Sequence, residues 1–206
     1  MIVIVDYGVG NLGSIRNIFK KIGYRAEPSS DPAVLKDAEK LILPGVGAFD
    51  AGMSKLRERG LIDLLNELVL EKRVPVLGHC LGMQLMARRS DEGHEMGLGW
   101  IEADCVRFKF DAGQAQLKVP HMGWNQLDIK RQHPVISNLD PEARFYFVHT
   151  YHMICADDAD IVAYTDYGYK FASIIQKGNI IGAQFHPEKS HKFGMQFLRN
   201  FAECSI

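Results

Sequence analysis

The sequence predicts an α/β protein in which a mostly parallel sheet is flanked by helices and continues into an antiparallel extension. Two observations support this prediction. In the first half, short apolar runs alternate with segments of helical apolar spacing, and this β-α-β-α order is typical of a parallel sheet covered on both faces. In the second half, short strand-like runs follow one another with only turn residues between them, which indicates an antiparallel or mixed continuation.

The strands expected in the first half are Ile2–Val5, Tyr24–Glu27, Leu41–Leu43 and Val74–Leu77. A first helix carries apolar residues at helical spacing and ends at Gly23. A short second helix begins at Asp31-Pro32, because Asp is a good N-cap and Pro is favoured in the first turn. Leucines at helical spacing on both sides of Gly60 predict the third helical region. The next helix is expected at Leu81–Arg88, after the fourth strand.

The second half is expected to contain seven short strands, namely Trp100–Phe110, Gln114–Val119, Asn125–Ile129, Arg144–His149, Ile161–Thr165, Ala172–Gln176 and Ile180–Phe185. A last helix carries Phe193, Phe197 and Phe201, each one turn apart. The chain shows no repeat, low-complexity segment or linker. We therefore expect residues 1–206 to form a single domain.

Charge and cysteine content exclude several classes of function. With 24 Lys+Arg against 25 Asp+Glu in 206 residues, the net charge is -1, so the chain has no general attraction for a nucleic acid. No run approaches the roughly 18 apolar residues that span a membrane. Its four cysteines are scattered without a CxxC pair, which indicates free thiols and a cytoplasmic location.

A glycine motif, Gly8-Val9-Gly10-Asn11-Leu12-Gly13, follows the first strand and opens the first helix. Glu27 lies nineteen residues after Gly8, which satisfies the fingerprint of a Rossmann-like dinucleotide site. A tight strand-to-helix turn also favours glycine without any cofactor. The chain has little room for a separate catalytic domain, so dinucleotide binding through Gly8–Gly13 is kept only as the alternative hypothesis.

A second motif, Gly78-His79-Cys80-Leu81-Gly82, comes directly after a predicted strand and directly before a helix. This is the arrangement of a nucleophile elbow with Cys in place of Ser. The flanking glycines relieve crowding at the sharp turn, and a helix N-terminus favours the thiolate. We therefore expect Cys80 to be a nucleophile. The remaining three cysteines are expected to be ordinary buried residues.

A cysteine nucleophile needs a base and a group that orients the base. His186 follows the last predicted strand, and Glu188 is near enough to accept a hydrogen bond from one imidazole nitrogen. Carboxyl ends of parallel strands meet at one edge of a sheet, so this turn can approach Cys80. A metal site at His149-x-x-His152 is the competing interpretation, but no carboxylate at ligand spacing accompanies it. We predict neither a metal nor a cofactor.

Two further features of the elbow bear on its chemistry. Leu81, directly after the nucleophile, is expected to donate a backbone N–H to an oxyanion. The Gly45-Val46-Gly47 loop, at the end of a neighbouring strand, is expected to provide a second N–H donor. Gln84 lies one helical turn after Cys80 and is expected to face a substrate.

Together these residues resemble a known family. The pattern Gly78-x-Cys80-x-Gly82-x-Gln84 with His186-x-Glu188 is similar to the class I, or triad, glutamine amidotransferases. Longer segments narrow the resemblance to the glutaminase subunits of imidazole glycerol phosphate synthase; they are Asp6–Asn11, Pro44–Phe49, Pro120–Asn125, Phe147–Tyr151 and Phe185–Ser190. The resemblance runs from Ile4 to the last helix and implies a class I glutamine amidotransferase-like, flavodoxin-like fold. One departure is His79, where this family usually has a small aliphatic residue.

The resemblance implies hydrolysis of L-glutamine to glutamate and ammonia through a thioester on Cys80, with His186 as acid and base and Glu188 orienting it. It supports Gln84 as a substrate contact and adds Thr150 and Tyr151 as binders of the amino-acid end. From the residues alone, a Cys-His-Glu set indicates only acyl transfer.

The resemblance also implies a partner. Ammonia is mostly protonated in water at neutral pH, so a second subunit should receive it directly, and the resemblance identifies this subunit as the (β/α)8-barrel cyclase of histidine biosynthesis, in a heterodimer. Candidate interface residues are Asn11, His121, Trp124 and Lys189. Trp124 could equally be a core residue.

Overall fold

The computed structural model describes residues 1–111, 113 and 116–205, and its first half alternates strands with helices as the sequence predicted. The strands of this half are β1 (Ile2–Val5), β2 (Ala26–Ser29), β3 (Lys40–Leu43), β4 (Val76–His79) and β5 (Arg89–Ser90). The helices are α1 (Leu12–Lys21), α2 (Pro32–Lys36), α3 (Phe49–Glu58), α4 (Ile62–Asn66) and α5 (Leu81–Leu85). A π-helical turn, Glu67–Glu71, continues α4.

The second half is built mainly from strands and ends in one helix. The strands are β6 (Ala103–Arg107), β7 (His121–Gln126), β8 (Asp128–Ile129), β9 (Arg144–His149), β10 (Tyr151–Cys155), β11 (Ile161–Asp166), β12 (Lys170–Lys177) and β13 (Ile180–Ala183). The final helix is α6 (His191–Glu203). Short 3-10 turns lie at Pro134–Ile136, Asp158–Asp160 and Pro187–Lys189.

Within the described residues, one large sheet has the strand order β2-β1-β3-β4-β13-β12-β10-β6-β5, with β11 and β8 attached through β12. Strands β2, β1, β3, β4 and β13 are mutually parallel, and β13 then pairs antiparallel with β12. Strands β7 and β9 form a separate antiparallel pair. This arrangement confirms the predicted fold class, a largely parallel α/β sheet with an antiparallel extension.

Both faces of the central parallel strands are buried, which explains why β1 is apolar at all four positions and β3 at the three positions after Lys40. Alternate residues of β1 belong to two different core clusters, Val3 and Val5 to one and Ile2 and Ile4 to the other. The first cluster packs against α3 and α5, whereas the second packs against α1 and α6. Helices therefore cover the sheet on both sides.

Several boundaries differ from the sequence prediction. Strand β2 begins two residues late, because Gly23 and Tyr24 still cap α1: the Tyr24 N–H donates to the Phe19 carbonyl at 2.8 Å. Strand β4 also begins late, since Val74 N–H donates to Leu68 of the π-helical turn and Pro75 has no N–H. Helix α5 ends at Leu85, three residues before the predicted end.

Several strand predictions in the second half were wrong. The predicted strand Asn125–Ile129 is divided between the end of β7 and β8, which lie in different sheets. Residues 116–119 of the predicted strand Gln114–Val119 are not a strand, and residues 114 and 115 lie outside the described residues. Strand β10 was not predicted, although it follows the predicted strand Arg144–His149 after a single residue. The chain leaves the small sheet at His149 and joins the large sheet at Tyr151, and only the tertiary pairing shows this switch.

The parallel order brings three loops to one edge of the sheet. Leu43 of β3 lies in register with Gly78 of β4, and His79 lies in register with Ala183 of β13. The segments that follow these strands therefore emerge side by side at their carboxyl ends, where α/β proteins place their sites. Among the described residues, no helix has the length and hydropathy needed to cross a membrane.

Candidate active site

Cys80 occupies a strained turn between β4 and α5. Its φ of 51° and ψ of -117° are an unusual conformation for a non-glycine residue. A Cβ on Gly82 would lie 1.8 Å from the Leu43 carbonyl oxygen, and a Cβ on Gly78 would lie 2.6 Å from the methyl carbon of Met86. Glycine is therefore required on both sides for close packing of the turn. The sharp strand-to-helix turn that the sequence predicted at Cys80 is present in the fold.

His186 and Glu188 lie in the turn after β13, next to the elbow. The His186 backbone N–H donates to the Tyr146 carbonyl at 2.9 Å, and the Ser190 hydroxyl donates to the His186 carbonyl at 2.6 Å. Nδ1 of His186 lies 2.8 Å from Oε1 of Glu188, and the two side chains are 1% and 3% exposed. Since the carboxylate accepts, Nδ1 carries the proton and Nε2 is left to face the cysteine.

The electrostatics of these residues favour a charged histidine. Burial lowers the pKa of His186, but interactions with Cys80 and Glu188 outweigh burial and raise this pKa to about 9. Burial likewise raises the pKa of Glu188, yet His79 and His186 lower it to about 2. The pair is therefore arranged to hold a proton on the imidazole of His186 beside the anionic carboxylate of Glu188.

A cavity of about 350 Å³ lies in front of Cys80. All of the residues predicted to bind the oxyanion or the substrate line it, namely Val46, Gly47, Leu81, Gln84, Thr150 and Tyr151. His186 lines it as well. The structure therefore brings Cys80, His186 and the predicted binding residues to one cavity, while Glu188 is hydrogen-bonded to His186 outside the cavity lining.

The loop after β3 is held against the elbow. A Cβ on Gly45 would lie 2.7 Å from both the backbone nitrogen of Gly82 and Cβ of Leu81, and the Tyr7 hydroxyl donates to the Pro44 carbonyl at 2.5 Å. Gly47 has a φ of +102°, a conformation that other residues rarely adopt. The Val46–Gly47 backbone is thereby brought to the same cavity as the first N–H groups of α5, which have no partner inside the helix.

Gln84 is fixed by its amide nitrogen. Nε2 donates to the Tyr151 carbonyl at 2.9 Å and to Oε1 of Gln184 at 3.1 Å. These bonds use the donors of the amide, so its carbonyl oxygen is the atom that can accept a hydrogen bond from a ligand.

Glu92 lines the same cavity and was not among the predicted site residues. Its Oε2 accepts a hydrogen bond from the Phe49 backbone N–H at 2.8 Å, which places the carboxylate at the N-terminus of α3. Lys189 lines the cavity too, with Nζ 5.6 Å from the centre of the Tyr146 ring. No motif marks Glu92, because only the tertiary fold brings its loop to the elbow.

The predicted interface residues are divided between the surface and the interior. Asn11 is exposed and caps α1 by accepting from the Ser14 N–H, and Lys189 is exposed. Trp124 is 45% exposed and stacks on His191, so it is not a core residue. His121 is 3% exposed, with its ring stacked on Tyr167 and Nδ1 3.1 Å from Nε2 of His149.

His149 and His152, the pair considered as a metal site, each have a ring nitrogen within hydrogen-bond distance of another group. Nδ1 of His149 lies 2.8 Å from the Tyr151 carbonyl oxygen, and Nε2 of His152 lies 2.9 Å from the Tyr169 hydroxyl. A different group, His79, His186 and Glu188, has potential ligand atoms within 4.8 Å of one another. The hydrogen bond between His186 and Glu188 already uses two of those atoms, so this group is better described as a hydrogen-bonded cluster.

Comparison with known proteins agrees with this geometry. The family model described as class I glutamine amidotransferase matches residues 3–204, so the chain belongs to the class I glutamine amidotransferases. The solved structures of PurLQS from Thermotoga maritima and of a glutamine amidotransferase from the same organism share the fold, with TM-scores of 0.72 and 0.66 at 16% and 18% identity. Each match covers 98% of this chain. It covers 96% of the PurLQS chain and 82% of the glutamine amidotransferase chain.

Curated relatives narrow the family. Imidazole glycerol phosphate synthase subunit HisH 2 of Pseudomonas aeruginosa is 53% identical over 98% of this chain and 99% of its own length. HisH 2 of Methanococcus maripaludis is 50% identical over 98% of both chains, and HisH of Leptospira interrogans is 46% identical over 98% of this chain and 99% of its own. Within the class I enzymes, the chain therefore belongs to the HisH family. The alternative of a dinucleotide-binding protein receives no support.

Proposed function

We propose that this protein hydrolyses L-glutamine to glutamate and ammonia at Cys80 and delivers the ammonia to the cyclase subunit of imidazole glycerol phosphate synthase. The observation that carries the proposal is the hydrogen-bonded pair His186–Glu188 beside the strained Cys80, at a cavity lined by the expected binding groups. The names of the HisH relatives supply the synthase, and the family resemblance adds its pathway, histidine biosynthesis.

In the first step, Sγ of Cys80 attacks the amide carbon of glutamine and forms a carbon–sulfur bond. Nε2 of His186 gives its proton to the amide nitrogen as the carbon–nitrogen bond breaks, and ammonia leaves. In the second step, His186 takes a proton from water, whose oxygen attacks the thioester carbon. The carbon–sulfur bond then breaks, and glutamate leaves while the thiolate is restored. Glu188 stabilises each imidazolium and keeps Nδ1 protonated.

Both tetrahedral intermediates carry a negative oxygen that needs fixed donors. The N–H of Leu81 opens α5 beside the nucleophile, and the Val46–Gly47 loop lies across the cavity. We propose that these two backbone segments supply the oxyanion donors. The φ of Gly47 allows this loop to turn its N–H toward the cavity.

The substrate is a small zwitterion, and the cavity contains charges of both signs. The carboxylate of Glu92 suits the α-ammonium group, to which Gln84 can add a carbonyl acceptor. Thr150 and Tyr151 are proposed to hold the α-carboxylate end. This orientation directs the side-chain amide of glutamine toward Cys80.

The cyclase is proposed to dock beside the cavity. Val46, Met122 and Trp124 are 44%, 62% and 45% exposed, and Val46 and Lys189 both line the cavity. An exposed apolar group of this kind, next to a charged rim, is typical of a protein interface. Asn11 and Lys189 remain proposed contacts, whereas the buried His121 is proposed to support β7 without touching the partner. We propose a heterodimer in the cytoplasm.

The test mixes this protein with the (β/α)8-barrel cyclase subunit, imidazole glycerol phosphate and L-glutamine, and measures glutamate release. We expect the wild-type protein to release glutamate and Cys80→Ala to release none above the uncatalysed background. Cys155→Ala is the matched control, because Cys155 lies in β10 away from the cavity lining and should keep wild-type activity. Retained glutaminase activity in Cys80→Ala would overturn the proposal.

A further inference from the structure

His79 is a buried, titratable residue that the proposed reaction does not use. It ends β4 directly before Cys80 and is 2% exposed. Leu77, two residues earlier on the same face of β4, belongs to the core cluster that packs against α1 and α6. The 3-10 turn Pro187–Lys189 makes contacts with both of those helices. The side chain of His79 is therefore directed to the face on which Glu188 lies.

His79 and Glu188 present unpaired polar atoms to each other. Nδ1 of His79 lies 3.7 Å from Oε2 of Glu188, and their side chains are each 3% exposed. Both atoms are buried and lack a hydrogen-bond partner within the described part of the chain. A normal hydrogen bond is about 0.7 Å shorter, which a small side-chain rotation supplies.

Each oxygen of Glu188 thus faces a different histidine. Oε1 accepts from Nδ1 of His186 at 2.8 Å, and Oε2 lies 3.7 Å from Nδ1 of His79. The rings of His79 and His186 meet edge to face, with centroids 6.3 Å apart. The terminal torsion of a glutamate is soft, so one hydrogen bond alone leaves the carboxylate free to tilt. A second donor on Oε2 would fix its plane.

We propose that His79 is a positioning residue that donates its Nδ1–H to Oε2 of Glu188 and thereby holds the Glu188–His186 pair in line with Cys80. The inference rests on the proposed glutaminase function. Its effect is on the orientation of the base, so it should act on the chemical steps and leave glutamine binding unchanged.

The surroundings of His79 favour a neutral imidazole ring, which can still donate one hydrogen bond. Burial lowers the pKa of His79, and Glu188 opposes this while His186 adds to it. Neutral imidazole carries one proton, so a donor at Nδ1 requires the Nδ1–H tautomer. The tautomer is therefore a direct observable of the proposal.

The first experiment compares His79→Leu with His79→Asn in the glutaminase assay with the cyclase subunit and imidazole glycerol phosphate. Leu fills the site with apolar volume but has no donor, whereas Nδ2 of Asn stands close to the position of Nδ1. We expect His79→Leu to lower kcat about tenfold with KM within twofold, and His79→Asn to recover most of this loss. If His79 only fills space, Leu should match or exceed Asn, and that order would overturn the proposal.

The second experiment uses the unaltered protein, so it does not depend on whether a variant folds. Long-range ¹H–¹⁵N NMR at pH 7 reports which ring nitrogen of each histidine carries a proton. A proton on Nδ1 of His79 is expected. A bare Nδ1 would place two lone pairs against each other and would overturn the proposal. If the wild-type protein releases no glutamate, the proposed function fails, and the NMR result still decides the His79–Glu188 contact.

Discussion

Gly82 lies against the carbonyl group of Leu43 so closely that a Cβ on Gly82 would be 1.8 Å from the carbonyl oxygen. Gly82 belongs to α5, which follows Cys80, and Leu43 ends β3, which precedes the Val46–Gly47 loop. This single contact therefore sets how near the nucleophile comes to the backbone that is proposed to bind the oxyanion. The position of the Val46–Gly47 loop relative to Cys80 therefore depends on the absence of a side chain at Gly82.

Gly82→Ala tests this contact. The added methyl group meets backbone that cannot rotate away, so we expect the free energy of unfolding to fall by about 3 kcal/mol or more. Urea unfolding followed by fluorescence measures the change. Gly13→Ala in α1 is the matched control, because a Cβ there meets no atom within 4 Å and alanine favours a helix by up to about 1 kcal/mol. Equal stability of the two variants would contradict the packing described.

A thiol-directed ketone analogue of glutamine should label Cys80 before the other cysteines. Burial raises the pKa of Cys105, raises that of Cys155 to about 12, and raises that of Cys204, so these thiols stay protonated near neutral pH. Cys80 instead faces the imidazole of His186. Mass mapping of labelled peptides after short exposure provides the measurement. Labelling of Cys155 at the rate of Cys80 would argue against an activated thiolate.

Glu188→Gln should change the pH dependence of stability. The folded pKa of Glu188, about 2, lies below its ordinary value of 4.5, so its contribution is complete above pH 4.5 and is lost as the pH falls through 2. Glutamine does not titrate. Between pH 4 and pH 2.5, a range below the ordinary histidine pKa of 6.5, the wild-type protein should therefore lose about 1–2 kcal/mol more stability than the variant. Unfolding curves of both proteins at these two pH values test this expectation. If the difference between their free energies of unfolding is the same at both pH values, the low pKa of Glu188 is contradicted.

Glu92→Gln should weaken glutamine binding with little effect on the chemical steps. Gln keeps an oxygen that can accept from the Phe49 N–H but removes the negative charge proposed to face the substrate ammonium. Loss of one charge-assisted hydrogen bond corresponds to a KM about tenfold higher or more, with kcat within about threefold. Asp91→Asn, on the neighbouring exposed residue, is the control and should leave KM unchanged. A larger fall in kcat than rise in KM for Glu92→Gln would contradict a binding role.

Much of this fold could be predicted because its signals are local. Asp31 and Gly23 mark helix ends by their own hydrogen bonding and φ, and the prediction of both was confirmed. The alternation of strands and helices in the first half indicated a sheet covered on both faces, as the two core clusters on its faces confirm. Strand β10 was missed, since its place in the large sheet depends on pairing with the distant β6, whereas β9 ends as predicted at His149.

By itself, the sequence determined the alternation of β1–β4 with their helices, the sharp turn at Cys80 and the His-Pro-Glu turn, because glycine, proline and apolar spacing act within a few residues. The tertiary structure alone decided that Glu92 reaches the cavity, that His121 is buried and Trp124 exposed, and that His79 faces Glu188. These relationships depend on strand order and on which face of β4 a side chain occupies. They join residues up to 109 positions apart, as between His79 and Glu188, and no local pattern encodes such a distance.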